Sequence, residues 1–211
     1  MVRTGLPDIE PDSPSAWRRW LVEHHDSTPG VWLIWRKKRT GHQPISLDEA
    51  VREALCFGWI DSTVRPVGDG KSALLFTPRR PGSTWSRLNK QRVTALAAEG
   101  RMTDAGLRVV DTAKRDGSWN ALDAVEDLRV PDDLAQALTA YPTAQANFSA
   151  FAPSTRKLTL WWIESAKRPH TRARRIAETV QLAADNRTVA DRSRSPSRSS
   201  HPQGRRQRGE A

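Results

Sequence analysis

The sequence predicts an α+β protein: an N-terminal helix and strand unit with a small antiparallel sheet, a C-terminal helical unit and a disordered basic tail. Three observations predict it. Short runs such as "GVWLIWRKKRTG" and "WIDSTVR" alternate with the two-residue period of strands. From Pro131 onward the period becomes helical throughout, with helix starts marked by Pro131-Asp132-Asp133, Pro142-Thr143 and Pro153-Ser154 and another expected near Thr171. From Asp185 the chain loses nearly all apolar residues and becomes rich in Arg, Ser, Pro and Gly. The expected boundaries are 10–120 for the α+β domain, 125–184 for the helical domain and 185–211 for the tail.

The first periodic segment, "SPSAWRRWLVEHHD", puts Trp17, Trp20, Leu21 and His24 on one helical stripe behind Ser13 or Ser15. In the strand that follows, Val31, Leu33 and Trp35 face one way and Trp32 and Ile34 the other, as expected of a strand covered on both faces. "SLDEAVREALC" opens with a Ser46/Glu49 capping box, and Gly58 stands where a helix C-terminus favours glycine. Trp59 to Arg65 then leaves as a strand, an Asp-Gly pair marks the turn, and "SALLFTP" returns. Helices are expected behind Ser83 or Ser86, closed by Gly100, and behind Thr103, stopped by Gly117. Residues 118–130 read as a connector. In the helical half, Leu158, Trp161, Trp162 and Ser165 share one face, and Ala173, Ile176, Ala177 and Val180 another, which suits packing as a small bundle.

Charge narrows the partners. The 211-residue chain carries a formal charge of +10; removing the +4 of residues 185–211 leaves +6 on residues 1–184. Such an excess favours anionic partners and affects association rather than fold. A single cysteine excludes an intramolecular disulfide, and Cys56 reads as a buried small residue. The N-terminal residues lack a secretory signal's apolar run and no stretch is long enough for a membrane span, so a cytoplasmic location is expected. No metal-ligand spacing, nucleophile elbow, phosphate-binding glycine loop or cofactor signature is present, and the reading leans towards binding rather than catalysis.

Two stretches carry candidate chemistry. In "GWIDSTVR", strand alternation puts Trp59, Asp61, Thr63 and Arg65 on one face, with Ile60 and Val64 pointing into the core. Asp61 beside an indole is a candidate general acid or base, or half of an ion pair. In "TPRRPGSTWSRLNK", Arg79 and Arg80 precede a helix start whose N–H groups favour anions, and Ser86 and Asn89 lie with Trp85, Val93, Leu96 and Ala97 on its inward stripe. The expected ligand site is therefore Trp59, Asp61, Arg79, Arg80, Trp85, Ser86 and Asn89, holding an anionic small molecule or phosphate. The basic runs at 35–39 and 167–175, with the tail, are candidates for non-specific nucleic-acid contact.

The strings "ALCFGWIDS", "FTPRRPGSTWSRLNKQRV", "EGRMTDAGLRVVDTAKRDGSW", "VPDDLAQAL" and "FSAFAPSTRKLTLWWIESAKRPHTRARRIAETV" closely resemble the bacterial YdeI/OmpD-associated, or bacteriocin-protection, family. The resemblance runs from about Trp17 to about Val180. Its motif positions are Gly58, Trp59, Ile60, Asp61 and Ser62, then Pro78, Arg79, Trp85, Ser86 and Asn89, then Ala166, Lys167, Thr171, Arg172 and Arg175. It implies a protective or stress role against bacteriocins or cationic antimicrobial peptides and an association with a porin, without implying a reaction or an active site.

Overall fold

A computed structural model describes residues 5–36 and 44–193. The expected loop histidine His42, Lys37–Arg39 of the first basic run, and residues 194–211 lie outside them. The chain is α+β and divides into two compact units, one up to Asp127 and one from Leu128.

The first unit is built on a four-stranded sheet in the order β1 (Asp8–Ile9), β2 (Val31–Arg36), β4 (Lys71–Pro78), β3 (Trp59–Gly68). It is mixed rather than purely antiparallel, because the two-residue β1 pairs parallel to β2. So short a strand has no period of its own. β2 is interior, as its two apolar faces require. The β3–β4 hairpin turns at Asp69 (φ 47°) and Gly70 (φ 72°), the left-handed pair that Asp-Gly supplies.

Five helices accompany the sheet: α1 (Pro14–His24), α2 (Leu47–Cys56), α3 (Arg87–Ala98), α4 (Asp104–Arg115) and the short α5 (Asp123–Glu126). Ser13, Ser46, Ser86 and Thr103 cap the first four, and the Ser46/Glu49 box closes in both directions. The main core joins Trp17 and Leu21 of α1, Ala54 and Leu55 of α2, Trp59, Phe76 and Trp85. Burying one such side chain contributes about 1.5–3 kcal/mol. The indole N–H of Trp17 donates to the Ala50 carbonyl at 3.0 Å, so its burial leaves no donor unpaired. Buried Glu53 of α2 is bound by both Arg18 and Arg101.

The α2–β3 joint decides where α4 lies. Thr103, the N-cap of α4, donates through Oγ1 to the Cys56 carbonyl at 2.7 Å while accepting from the Gly106 N–H. One side chain thus satisfies the end of one helix and the start of another. Gly106 permits the approach, since a Cβ there would overlap the Cys56 carbonyl.

The β3–β4 pairing is irregular at two places, between Asp61 and Val64 and between Pro66 and Gly68. At the first the register slips through a bulge, with Asp61 opposite Phe76 but Val64 opposite Leu74. Val64, expected in the core, is 56% exposed. Arg65 instead lies over the Trp32 ring at 4.7 Å and pairs with Asp8.

The second unit contains α6 (Asp132–Thr139), α7 (Pro142–Ala150), α8 (Pro153–Glu164) and α9 (Pro169–Ala184). Proline at the first turn opens α7, α8 and α9, its missing N–H costing nothing there. α8 buries Thr159, Leu160 and Ile163, whereas Leu158 and Trp161 are exposed, Trp161 by 46%. The stripe expected from 158, 161, 162 and 165 is therefore its outer face; both stripes have helical spacing, and packing chose the other. On α9, Ile176 and Val180 are buried but Ala173 and Ala177 are exposed. Residues 185–193, expected to begin the loose tail, are ordered: a 3-10 turn spans Val189–Ser193, Val189 is 4% exposed and Arg192 stacks on Trp162 at 4.0 Å. One buried valine and a cation–π contact anchor a segment whose composition suggested otherwise.

Gly106→Ala is expected to destabilise the first unit by about 1–3 kcal/mol or more, the range for overpacking a close contact, measured by denaturant unfolding. In the second unit Arg172 bonds Asp133 at 2.6 and 3.0 Å and holds that carboxyl below its ordinary range. A lowered folded-state pKa means stability present above the usual carboxylate range and lost as pH falls through the lowered value. Asp133→Asn should therefore cost up to about 1 kcal/mol at neutral pH, as befits a half-exposed pair. The difference from wild type should close on acidification in a melting-temperature series.

Candidate functional site

A cavity of about 320 Å³ opens beside the α2–β3 joint. The end of α2 and the start of β3 supply Phe57, Gly58 and Trp59, and the segment after β4 supplies Pro78 to Ser83 and Trp85. α4 supplies Ala105, Arg108, Val109, Thr112 and Ala113, a helical stripe of i, i+3, i+4 spacing, and Asp116 and Ser118 close the end. Gly58 is required twice: its φ is +75°, and a Cβ would meet Val109 Cγ2 at 2.7 Å. Its carbonyl accepts the Arg79 N–H at 2.9 Å, which fixes the two strand ends side by side.

Arg79 dominates the electrostatics. Its side chain leaves the residue 8% exposed, and its guanidinium lies 3.5 Å from the Trp85 ring centroid. Nη1 donates to the Thr84 carbonyl at 3.1 Å, but Nε has no acceptor among the described residues. Burial pushes the guanidinium down to about 10, and the carboxylate of Asp61 partly opposes that shift. A buried cation with donors unpaired is costly, about 1–3 kcal/mol for an unsatisfied group. Arg80, expected to act as its twin, is exposed. Arg108 is a third arginine on the cavity wall, also exposed.

The remaining expected residues separate. Trp59, Arg79, Arg80 and Trp85 line the cavity; Asp61, Ser86 and Asn89 do not. Asp61 makes no hydrogen bond or ion pair among the described residues and acts on Arg79 through space. Ser86 is the cap of α3, accepting from the Asn89 N–H at 3.3 Å, and Asn89 Oδ1 accepts from Arg92. The α3 start is not an open anion site. The Arg87 N–H donates to Glu126, while Asp127 and Asp123 bind Arg87 and Lys90. The protein's own acids fill the place an external phosphate would take.

Most of the lining residues were not singled out in the sequence, among them His25, Arg108, Asp116 and Ser118. His25 packs on Phe57 at 5.2 Å, and its Nδ1 lies 2.9 Å from the Leu21 carbonyl, which can only accept. Nδ1 therefore carries the proton. The backbone at His25 also accepts from Trp59 Nε1 at 3.1 Å. Asp116 accepts from the Gly82 N–H at 3.0 Å and the Ser118 N–H at 2.9 Å, tying the loop after Arg80 to the end of α4. The Ser118 side chain, the Ser118 N–H and the Gly82 N–H hold the Asp116 carboxyl below its ordinary range. Buried Ser118 Oγ nevertheless lacks a partner of hydrogen-bonding geometry. The caps at Thr103 and Gly117 predict α4 as a helix, and the stripe of 105, 108, 109, 112 and 113 is a further signal that names a face but not what it faces.

The second unit has a larger cavity, about 750 Å³, bordered by Ala137, Tyr141, Ala173, Ile176, Ala177 and Val180. Its charged lining residues Arg172 and Asp133 bind each other, leaving no free cation comparable to Arg79. Within the basic run 167–175, Arg172 is held by Asp133 and Glu164, and Arg175 by the Trp162 carbonyl and Ser165 Oγ. Two of its charges are spent internally. No helix among the described residues is long and apolar enough to cross a membrane.

Comparison with known proteins divides the chain much as the fold does. No curated protein and no solved structure matches it. Residues 9–109 match the model of a domain of unknown function, DUF8412. Residues 127–186, α6 to α9, match the model described as bacteriocin-protection, YdeI or OmpD-associated. Of the span expected from Trp17 to Val180, the match to the YdeI/OmpD-associated family model thus covers the helical unit.

Proposed function

We propose that the N-terminal unit binds a small organic anion in the cavity beside the α2–β3 joint, with Arg79 as its charge partner. The observation that carries the reading is a guanidinium buried on the wall of an open cavity with its Nε–H left unpaired. Among the described residues only Ser118 Oγ and Arg156 Nε share that condition, whereas buried Glu53 is paired with two arginines. Arg80 and Arg108, exposed on the same wall, would draw an anion in. Trp59 and Trp85 serve as packing partners, Trp85 by stacking under Arg79.

Asp61 fits a structural part better than a catalytic one: it lies off the cavity and balances the charge of Arg79. The protective role in the family name would then work through the bound ligand or a partner it recruits. Sequestering cationic peptides by bulk charge is a poor mechanism for a chain of net charge +10, which repels them on average.

Ligand binding to the folded state should raise the melting temperature. The reading predicts that a bound anion at a hundred times its Kd stabilises the wild type by about 2.7 kcal/mol. Arg79→Gln should abolish that increment while leaving a cooperative transition. An equal increment in the variant would remove Arg79 from the site.

A further inference from the structure

We infer that the anion is a monocarboxylate with an apolar body rather than a phosphate; this rests on the binding reading above and narrows its ligand. Three features decide the class.

Charge comes first. One buried cation serves the cavity, and two carboxylates, Asp26 and Asp116, line it as well, with Asp61 acting on Arg79 from outside. A dianion would face both acids; a single negative charge matches the one guanidinium. Arg80 and Arg108 are exposed and solvated, so they steer more than they hold.

The donors come second. A phosphate needs many, and the place where a fold usually supplies them, a helix start, is here occupied at α3 by Ser86 and Glu126. The buried donors on the wall are the edge of the Arg79 guanidinium and the Ser118 hydroxyl, both on residues more than nine-tenths buried and each with an unpaired polar atom, Nε and Oγ. A planar guanidinium matches the two oxygens of a carboxylate.

The walls come third. Phe57, Pro78, Pro81, Ala105, Val109 and Ala113 give the cavity an apolar lining well beyond what a bare inorganic ion can use. About 320 Å³ is room for a short hydrocarbon chain or a ring.

The test is calorimetric titration of the full chain at one pH and ionic strength with acetate, butanoate and hexanoate, with hexanamide and with inorganic phosphate. Affinity is expected to rise about fourfold per methylene from acetate to hexanoate, the increment for a buried methylene. Hexanamide and phosphate should bind at least tenfold more weakly than hexanoate. Arg79→Gln should weaken hexanoate by about 10- to 100-fold, the loss of a charged hydrogen bond, and Ser118→Ala by a few fold. Should Arg79→Gln fail to fold, Val109→Phe decides: it narrows the cavity and should remove the chain-length dependence while acetate still binds.

Phosphate binding as tightly as hexanoate, with no dependence on chain length, would overturn the carboxylate class and leave the anion reading standing. Hexanamide equal to hexanoate, or no binding by any probe at tens of millimolar, would overturn both.

Discussion

The carbonyl of Cys56 is the point on which the first unit turns. It ends α2 and would be an orphan acceptor in the interior, yet it receives both the N–H and the hydroxyl of Thr103 at 3.1 and 2.7 Å. That contact makes the end of one helix the start of another and brings Gly106 against the joint. The next residues, Phe57 to Trp59, then lie between α4 and the end of β4, where the Gly58 carbonyl holds the Arg79 N–H. The cavity is the space left when these ends meet. Bulk is excluded at Gly58 and Gly106 by backbone and Val109, so the spacing of the walls follows from two missing side chains.

Two buried charges in this unit show how differently a fold can treat an ion. Glu53 has a guanidinium on each side, so the desolvation of its carboxylate is offset by two charge-assisted bonds. Arg79 has an aromatic face, one carbonyl and the field of a carboxylate that does not touch it. Cation–π attraction of about 2 kcal/mol covers only part of the cost of desolvating a guanidinium. Such a conflict between local chemistry and global stability is the observation on which the proposed anion site rests. The opposite treatment of the α3 start, filled by Glu126 and flanked by two more acids, shows where the protein has no vacancy for an anion.

The family match and the cavity belong to different units. In the helices that match the YdeI/OmpD-associated model Arg172 and Arg175 are held in internal bonds, while Arg79, on the wall of the N-terminal cavity, lies in the unit matching a domain of unknown function. The proposed anion site thus rests on the N-terminal unit's own geometry and not on the name of the family that the helical unit resembles.

By itself the sequence determined the elements. Caps at Ser46, Ser86 and Thr103, proline starts in the helical half, the Asp-Gly turn and the alternation in β2 are local signals, each made within a few residues by backbone hydrogen bonding or side-chain period. It also brought Trp59, Arg79, Arg80 and Trp85 forward, because an arginine pair beside tryptophans and a helix start is visible as a string. Only the tertiary structure decided the rest. Val64 lies exposed beyond the first β3 bulge, Trp161 lies on the outer face of α8, and buried Val189 and the Arg192–Trp162 stack hold the residues up to 193. Adjacent Arg79 and Arg80 received opposite environments, and Asp61, Ser86 and Asn89 left the cavity while His25, Arg108, Asp116 and Ser118 entered it. The physical reason is the same in each case: a periodic pattern defines a face, but burial and the pairing of a charge depend on which distant element meets that face.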